Sequence, residues 1–136
     1  MFMAFLIILN YLPLDITFDK ALEIAGAIRL GEISPVDVLD SVAARIESTE
    51  PMLNAFITLD LERARKRAKR AEQELDQGHP VGPLHGVPFS VKDLLDTEGL
   101  RTTFGSFAFE HNVPTRTVRA VRRLEEAGAV LLGKTT

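Results

Sequence analysis

Residues 82–105, GPLHGVPFSVKDLLDTEGLRTTFG, constrain this chain more than any other stretch. A short apolar run, Val87 to Val91, ends in Lys92-Asp93 and is flanked by two heavily punctuated loops. The upstream loop holds Gly78, Pro80, Gly82, Pro83, Gly86 and Pro88; the downstream loop holds Gly99, Thr102, Thr103, Gly105 and Ser106. Glycine and proline at this density fix unusual backbone geometry on both sides of a strand. Loops pinned on a rigid scaffold are where function tends to sit. Two readings of Lys92 stay open on the residues alone. It is an edge lysine reaching water beside Asp93 or Asp96, or a desolvated lysine whose lowered pKa makes it a base or nucleophile.

The rest of the composition narrows the class. A length of 136 residues suits one small domain, and 46% hydrophobic residues are enough for a core. With no cysteine there is neither a disulfide framework nor a thiolate metal site; the composition fits a reducing, cytoplasmic setting. A net charge of −3, one Tyr and no Trp argue against a dedicated nucleic-acid binder. Residues 1–14, MFMAFLIILNYLPL, are apolar, yet carry no basic n-region and are too short to span a bilayer. They read as a buried or docking segment, an atypical signal or anchor, or an upstream extension.

The helical period then organises the chain. Residues 17–30 predict a helix capped by Thr17, with Ala21, Ile24, Ala25 and Ile28 on its apolar face and Gly31 closing it. A second helix starts at Ser34-Pro35 and should stop before Pro51. Residues 54–58 read as a strand. Asp60 caps a long helix to about Gln77, striped by Leu61, Ala64, Ala68, Ala71 and Leu75. Six basic residues interleave that stripe between Arg63 and Arg70, and acidic Glu62, Glu72, Glu74 and Asp76 make a solvated face the better reading. After the lysine segment, Thr115 should cap a helix to about Ala127 on Val118, Val121 and Leu124, with Gly128 ending it. Residues 129–132 form a fully apolar strand, which makes a strand–helix–strand unit with parallel pairing.

Rival motifs fail on context. Residues 128–135 match G-x-x-x-x-G-K-[ST], but a phosphate loop must follow a strand and open a helix. Here the intervening residues are themselves the strand. His79, His85 and His111 lie in loops without metal-ligand spacing, and Ser106 lacks a nucleophile elbow.

The segment GPLHGVPFSVKDLLDTEGLRTTFGS, then Pro114, then VRRLEEAGAVLLGKTT, resembles the N-terminal part of the amidase signature family. The likeness runs from about Thr17 to the last residue and is strongest over residues 82–133. It implies an α/β fold in which this chain supplies the N-terminal helices and first strands of a mixed sheet, incomplete in itself. Residues 1–136 are then the N-terminal portion of a single amidase domain, with residues 1–16 an apolar leader or extension. The resemblance assigns Lys92 to the lysine of a Ser–cis-Ser–Lys triad that hydrolyses a carboxylic amide to acid plus ammonia or amine. It implies a small-molecule amide substrate, no cofactor, no metal, no nucleic-acid partner and no membrane. It also places Lys134 at a strand end on the active-site side. The family's two serines belong to a Gly/Ser-rich run, and Ser34, Ser41, Ser48, Ser90 and Ser106 lie in no such run. The isolated chain is therefore expected to be inactive, or a docking fragment that self-associates through open sheet edges. Thr117-Val118 and the final Thr136 depart from common family residues. Leu94, where asparagine is common in the amidotransferase branch, favours a general amidase over an enzyme of the glutamyl-tRNA amidotransferase type.

Overall fold

A computed structural model describes residues 20–136. Its elements run α1 (Ala21–Arg29), α2 (Pro35–Leu53), β1 (Phe56–Leu59), α3 (Leu61–Asp76), β2 (Pro88–Lys92), a 3-10 turn (Phe107–Phe109), α4 (Arg119–Glu126) and β3 (Val130–Thr135). The α/β class read from the sequence holds. The apolar run 1–14 and Thr17 lie outside the described residues.

The strands form one mixed sheet in the order β1–β3–β2. β2 runs parallel to β3, pairing Pro88 with Val130 and Lys92 with Thr135. β1 runs antiparallel to β3, pairing Leu59 with Gly133 and Phe56 with Thr135. The parallel pair is the one expected of a strand–helix–strand unit. Through residues 130–132 of β3 successive side chains point to opposite faces, and the register to β2 then shifts by one residue before Gly133. Val130 and Leu132 pack with Leu39, Ala64 and Ala68 beneath α2 and α3. Leu131 packs on the other face with Val91, Leu100 and Val121 of α4. A third cluster, Ile24, Ala25, Ile28, Val38 and Val87, attaches α1. Buried alanines at 64, 68 and 71 let α3 lie close against the sheet.

Several local expectations held for the reasons given. Ser34 accepts from Asp37 N at 3.0 Å with Pro35 in the first turn, and Asp60 accepts from Arg63 N at 3.0 Å. Gly31 and Gly78 follow their helices with φ of 71° and 68°. The basic face of α3 is ion-paired: Lys66 to Glu62 at 2.6 Å, Arg70 to Glu74 at 2.9 Å, Arg67 to Glu74 at 3.2 Å, and Arg63 to Glu125 at 3.6 Å.

Other boundaries differ. α1 begins at Ala21, after the Lys20 cap position, where Glu23 accepts the Lys20 amide at 3.1 Å. α2 continues through Pro51 to Leu53. A proline inside a helix removes one hydrogen bond and clashes with the carbonyl four residues back. The last turn survives because Asn54, left-handed at φ 48°, returns its amide to Glu50 O at 2.8 Å. The Glu50 carboxylate also accepts from Phe56 N at 2.8 Å, tying the helix end to β1. β1 accordingly spans Phe56–Leu59 rather than 54–58. α4 starts later than a Thr115 cap requires, with Val118 at the cap position. Residues 117–118 are engaged by the neighbouring loop instead: Thr117 Oγ1 accepts from Glu98 N at 3.0 Å, and Val118 N donates to Asp96 O at 3.0 Å. Leu124, expected in the core stripe, is 36% exposed.

Candidate active site

Lys92 is the last residue of β2, at the end where the chain leaves the sheet, and its side chain is exposed. The strand is delivered there by contacts on both sides. Upstream, Leu84 N donates to Ala127 O and Gly86 N to Gly128 O, both at 3.0 Å, and Val130 N donates to Val87 O at 2.8 Å. A Cβ at Gly82 would stand 2.3 Å from Ala127 O, so this approach requires glycine. Downstream, Leu95 N donates to Lys92 O at 3.1 Å, closing a turn directly behind the lysine.

Asp93 is 3% exposed and does not pair with Lys92. Its amide donates to Thr135 O at 2.8 Å, extending the parallel ladder past the strand. Its carboxylate accepts the Thr103 amide at 3.1 and 3.0 Å and also the Thr103 hydroxyl. Phe104 N donates to Asp93 O at 3.0 Å, with Phe104 held at φ 54°. A left-handed conformation costs a non-glycine residue roughly 1–2 kcal/mol, so the knot around Asp93 over-determines it. The same loop is stitched to 112–118. Asn112 Nδ2 donates to Thr102 O at 2.8 Å, and Gly99 N donates to Pro114 O at 3.0 Å. These bonds explain the density of Gly and Thr between 99 and 105. They hold a long loop rigid beside Lys92.

Lys134 stands at the strand end as expected, next to last in β3 and paired with Val91 beside Lys92. What the sequence did not indicate is its burial, with 0% exposure. Its Nζ donates to Leu95 O and, at 3.1 Å, to Thr97 Oγ1. Burial pushes its pKa down, with the Asp93 and Asp96 carboxylates pulling the other way. The G-K-[ST] match is thus part of a strand, as its context indicated. His85, 3% exposed, is bound to α3, with Nε2 2.9 Å from Ala71 O and 3.9 Å from the Glu74 carboxylate. Ser106 caps the 3-10 turn by accepting from Ala108 N at 3.3 Å. Nothing in the residue pattern marked the Asp93–Thr103 knot or the burial of Lys134, because both depend on partners brought together by the fold.

Leu94, Leu95, Phe107 and Phe109 expose apolar surface around this end of the sheet, at 53%, 39%, 94% and 48%. Phe104 and Phe109 meet edge to face with centroids 5.2 Å apart. A groove with a volume of about 1090 Å³ lies elsewhere, between α2, β1 and α3, and no residue of the lysine segment lines it. Among the described residues, no group of three or more His, Cys, Asp or Glu could hold a metal, and no helix is long and apolar enough to cross a membrane.

Residues 37–136 match the Amidase family, and the chain belongs to it. It is 44% identical over 115 residues to a glutamyl-tRNA(Gln) amidotransferase subunit of Lachnospira eligens, covering 85% of this chain and 24% of that protein. It is 36% identical over 116 residues to the acylamidase of Rhodococcus erythropolis, again covering 85% of this chain and 24% of the relative. The peptide amidase of Stenotrophomonas maltophilia superposes with a TM-score of 0.82 at 31% identity, over 89% of this chain and 25% of that one. The chain therefore spans about a quarter of the length of the relatives it matches.

Proposed function

We propose that this chain carries the general base of an amide hydrolase, and that Lys92 is that base. The observation that supports it most is the pairing of an exposed lysine head with a rigid mount. The Leu95 N to Lys92 O turn lies on one side, and the Asp93–Thr103 knot on the other. A base must hold its geometry to within a fraction of an ångström to be effective, and this strand end is built to do so. A lysine accepts a proton near neutral pH only when its ammonium is desolvated or crowded by another cation. The apolar surfaces of Leu94 and Leu95 beside it suit a site closed over by further protein.

In the reaction proposed, a serine hydroxyl attacks the amide carbonyl and its proton passes, through a second serine, to the neutral Nζ of Lys92. The tetrahedral intermediate collapses with cleavage of the C–N bond, and Lys92 returns the proton to the departing nitrogen. Water then repeats the sequence on the acyl-serine, releasing acid. Residues 1–136 form the N-terminal portion of that catalytic domain, acting on a small-molecule amide in the cytoplasm. The test is Lys92→Ala in the full-length enzyme, followed by ammonia or amine release and by serine labelling with a fluorophosphonate. Loss of turnover by about 10³-fold or more, with slowed labelling, is expected. Normal hydrolysis by the variant rejects the assignment.

A second reading draws on the 44% identity to the Lachnospira eligens amidotransferase protein. In it, the same base releases ammonia from an amide donor for transfer to glutamyl-tRNA(Gln). Leu94 after Lys92-Asp93 favours free hydrolysis. The readings separate on whether ammonia release needs an added glutamyl-tRNA(Gln) acceptor.

A further inference from the structure

We infer that Lys134 is a positioning residue for Lys92, fixing from behind the sheet the turn that sets where the base points; this rests on the assignment of Lys92 made above. A lysine side chain with no exposed surface is an expensive core residue. A methionine of similar reach would fill the same space without an ammonium to satisfy. What the ammonium adds is two directed hydrogen bonds, and both go to one short segment, Leu95 O and Thr97 Oγ1. That segment begins just after the base and is the one whose Leu95 amide closes on Lys92 O at 3.1 Å.

The sheet register makes the geometry specific. Lys134 pairs with Val91 and Thr135 with Lys92 across the parallel ladder. Side chains of paired residues share a face and neighbours alternate. Between the Phe89–Leu131 and Ser90–Gly133 pairs the register shifts and leaves Leu132 as an extra residue on β3. Lys134 therefore returns to the Val91 face, with the core formed by Leu100, Val121 and Leu131, and Lys92 lies on the opposite face. One lysine anchors the turn from the back while the other is presented at the front. The Asp93 and Asp96 carboxylates lie close enough to favour the buried ammonium. Asp93 is itself locked by Thr103, so the anchor and the knot grip the same short turn from two sides.

The experiment uses the full-length enzyme and an acyl p-nitroanilide that the wild type turns over. Lys134→Met removes the ammonium at similar volume, and Thr97→Val removes one of its two acceptors at the same shape. A shift of about 1 Å in a catalytic group costs on the order of 10²-fold. Lys134→Met should therefore lower kcat about 100-fold with KM within about twofold of wild type. Thr97→Val should lower kcat about 5- to 10-fold, also at constant KM, since one bond of the pair remains. Far-UV circular dichroism and Tm accompany each variant. Wild-type kcat in a folded Lys134→Met overturns the inference. If Lys134→Met does not fold, wild-type kcat in Thr97→Val overturns it. A raised KM at unchanged kcat also overturns it, because that is a substrate-binding defect. Lys92→Ala run in parallel separates the two claims. Full activity there rejects the base itself, whereas an inactive Lys92→Ala beside a fully active Lys134→Met rejects only the positioning role.

Discussion

Thr103→Val tests whether the Asp93 knot holds the strand end or merely decorates it. The Thr103 hydroxyl donates to a carboxylate that is 3% exposed, and the Thr103 amide donates to both of its oxygens at 3.1 and 3.0 Å. Valine keeps the shape and the amide but removes the hydroxyl donor. A hydrogen bond to a charged group contributes about 1.5–3 kcal/mol, and the penalty is greatest when the acceptor stays buried. One donor is lost and the amide remains, so about 2 kcal/mol is expected, or roughly a 30-fold change in the folding equilibrium. Urea denaturation at pH 7, followed by circular dichroism, measures it. Thr103→Ser is the control: it restores the hydroxyl and loses a methyl, so it should cost about 1 kcal/mol or less. If valine and serine behave alike, the methyl and not the hydroxyl matters, and the account of the knot is wrong.

Three further perturbations probe the sheet. At Gly133→Ala the new Cβ would stand 2.1 Å from Thr58 O and 3.0 Å from Leu59 Cα, both backbone atoms of β1; a loss of about 3 kcal/mol should appear in the melting curve, and a Tm unchanged from wild type contradicts the register. Thr58 Oγ1 is buried without a hydrogen-bond partner, so Thr58→Val should be neutral or should stabilise by up to about 1 kcal/mol, and a loss beyond that in urea midpoint reveals a hidden partner. Lys134 binds its proton less tightly folded than unfolded, because burial lowers its pKa from 10.5. Below the folded value both states are protonated and the burial cost is constant. Between that value and 10.5 the unfolded state holds more protons, so stability rises with pH. Wild-type stability should therefore gain on that of Lys134→Met as pH climbs toward 10.5, and a flat or falling difference refutes the buried charge.

What the sequence revealed was mostly what one element decides for itself. Ser34-Pro35, Asp60 and Gly78 mark helix ends through bonds within a few residues, and each stands where the pattern indicated. The alanine stripe of α3 and the apolar run of β3 follow from periodicity alone. Where distant partners compete, local rules misled. Pro51 fails to stop α2 because Glu50 and Asn54 hold the last turn. Thr115 does not cap α4 because Thr117 and Val118 are taken by Glu98 and Asp96. In the site, Lys92 stood out through its flanking loops. The burial of Lys134 did not, since its partners Leu95 and Thr97 are distant in sequence and only the fold brings them to it.

The strand order has a consequence for synthesis. Of the three described strands, β3 is the last to be made and yet lies between the other two. β1 and β2 share no ladder, so among the described residues neither has a sheet partner until residues 130–135 have left the ribosome. At about 5–20 residues per second, the roughly 40 residues after β2 take about 2–8 s to translate. Through that interval the nascent chain holds helices and two unpaired strands whose backbone groups offer a template to any passing extended segment. The six residues of β3 close both of these ladders at once. A ribosome stalled before Val130 should therefore display a more protease-sensitive, more chaperone-binding chain than one stalled after β3 has emerged.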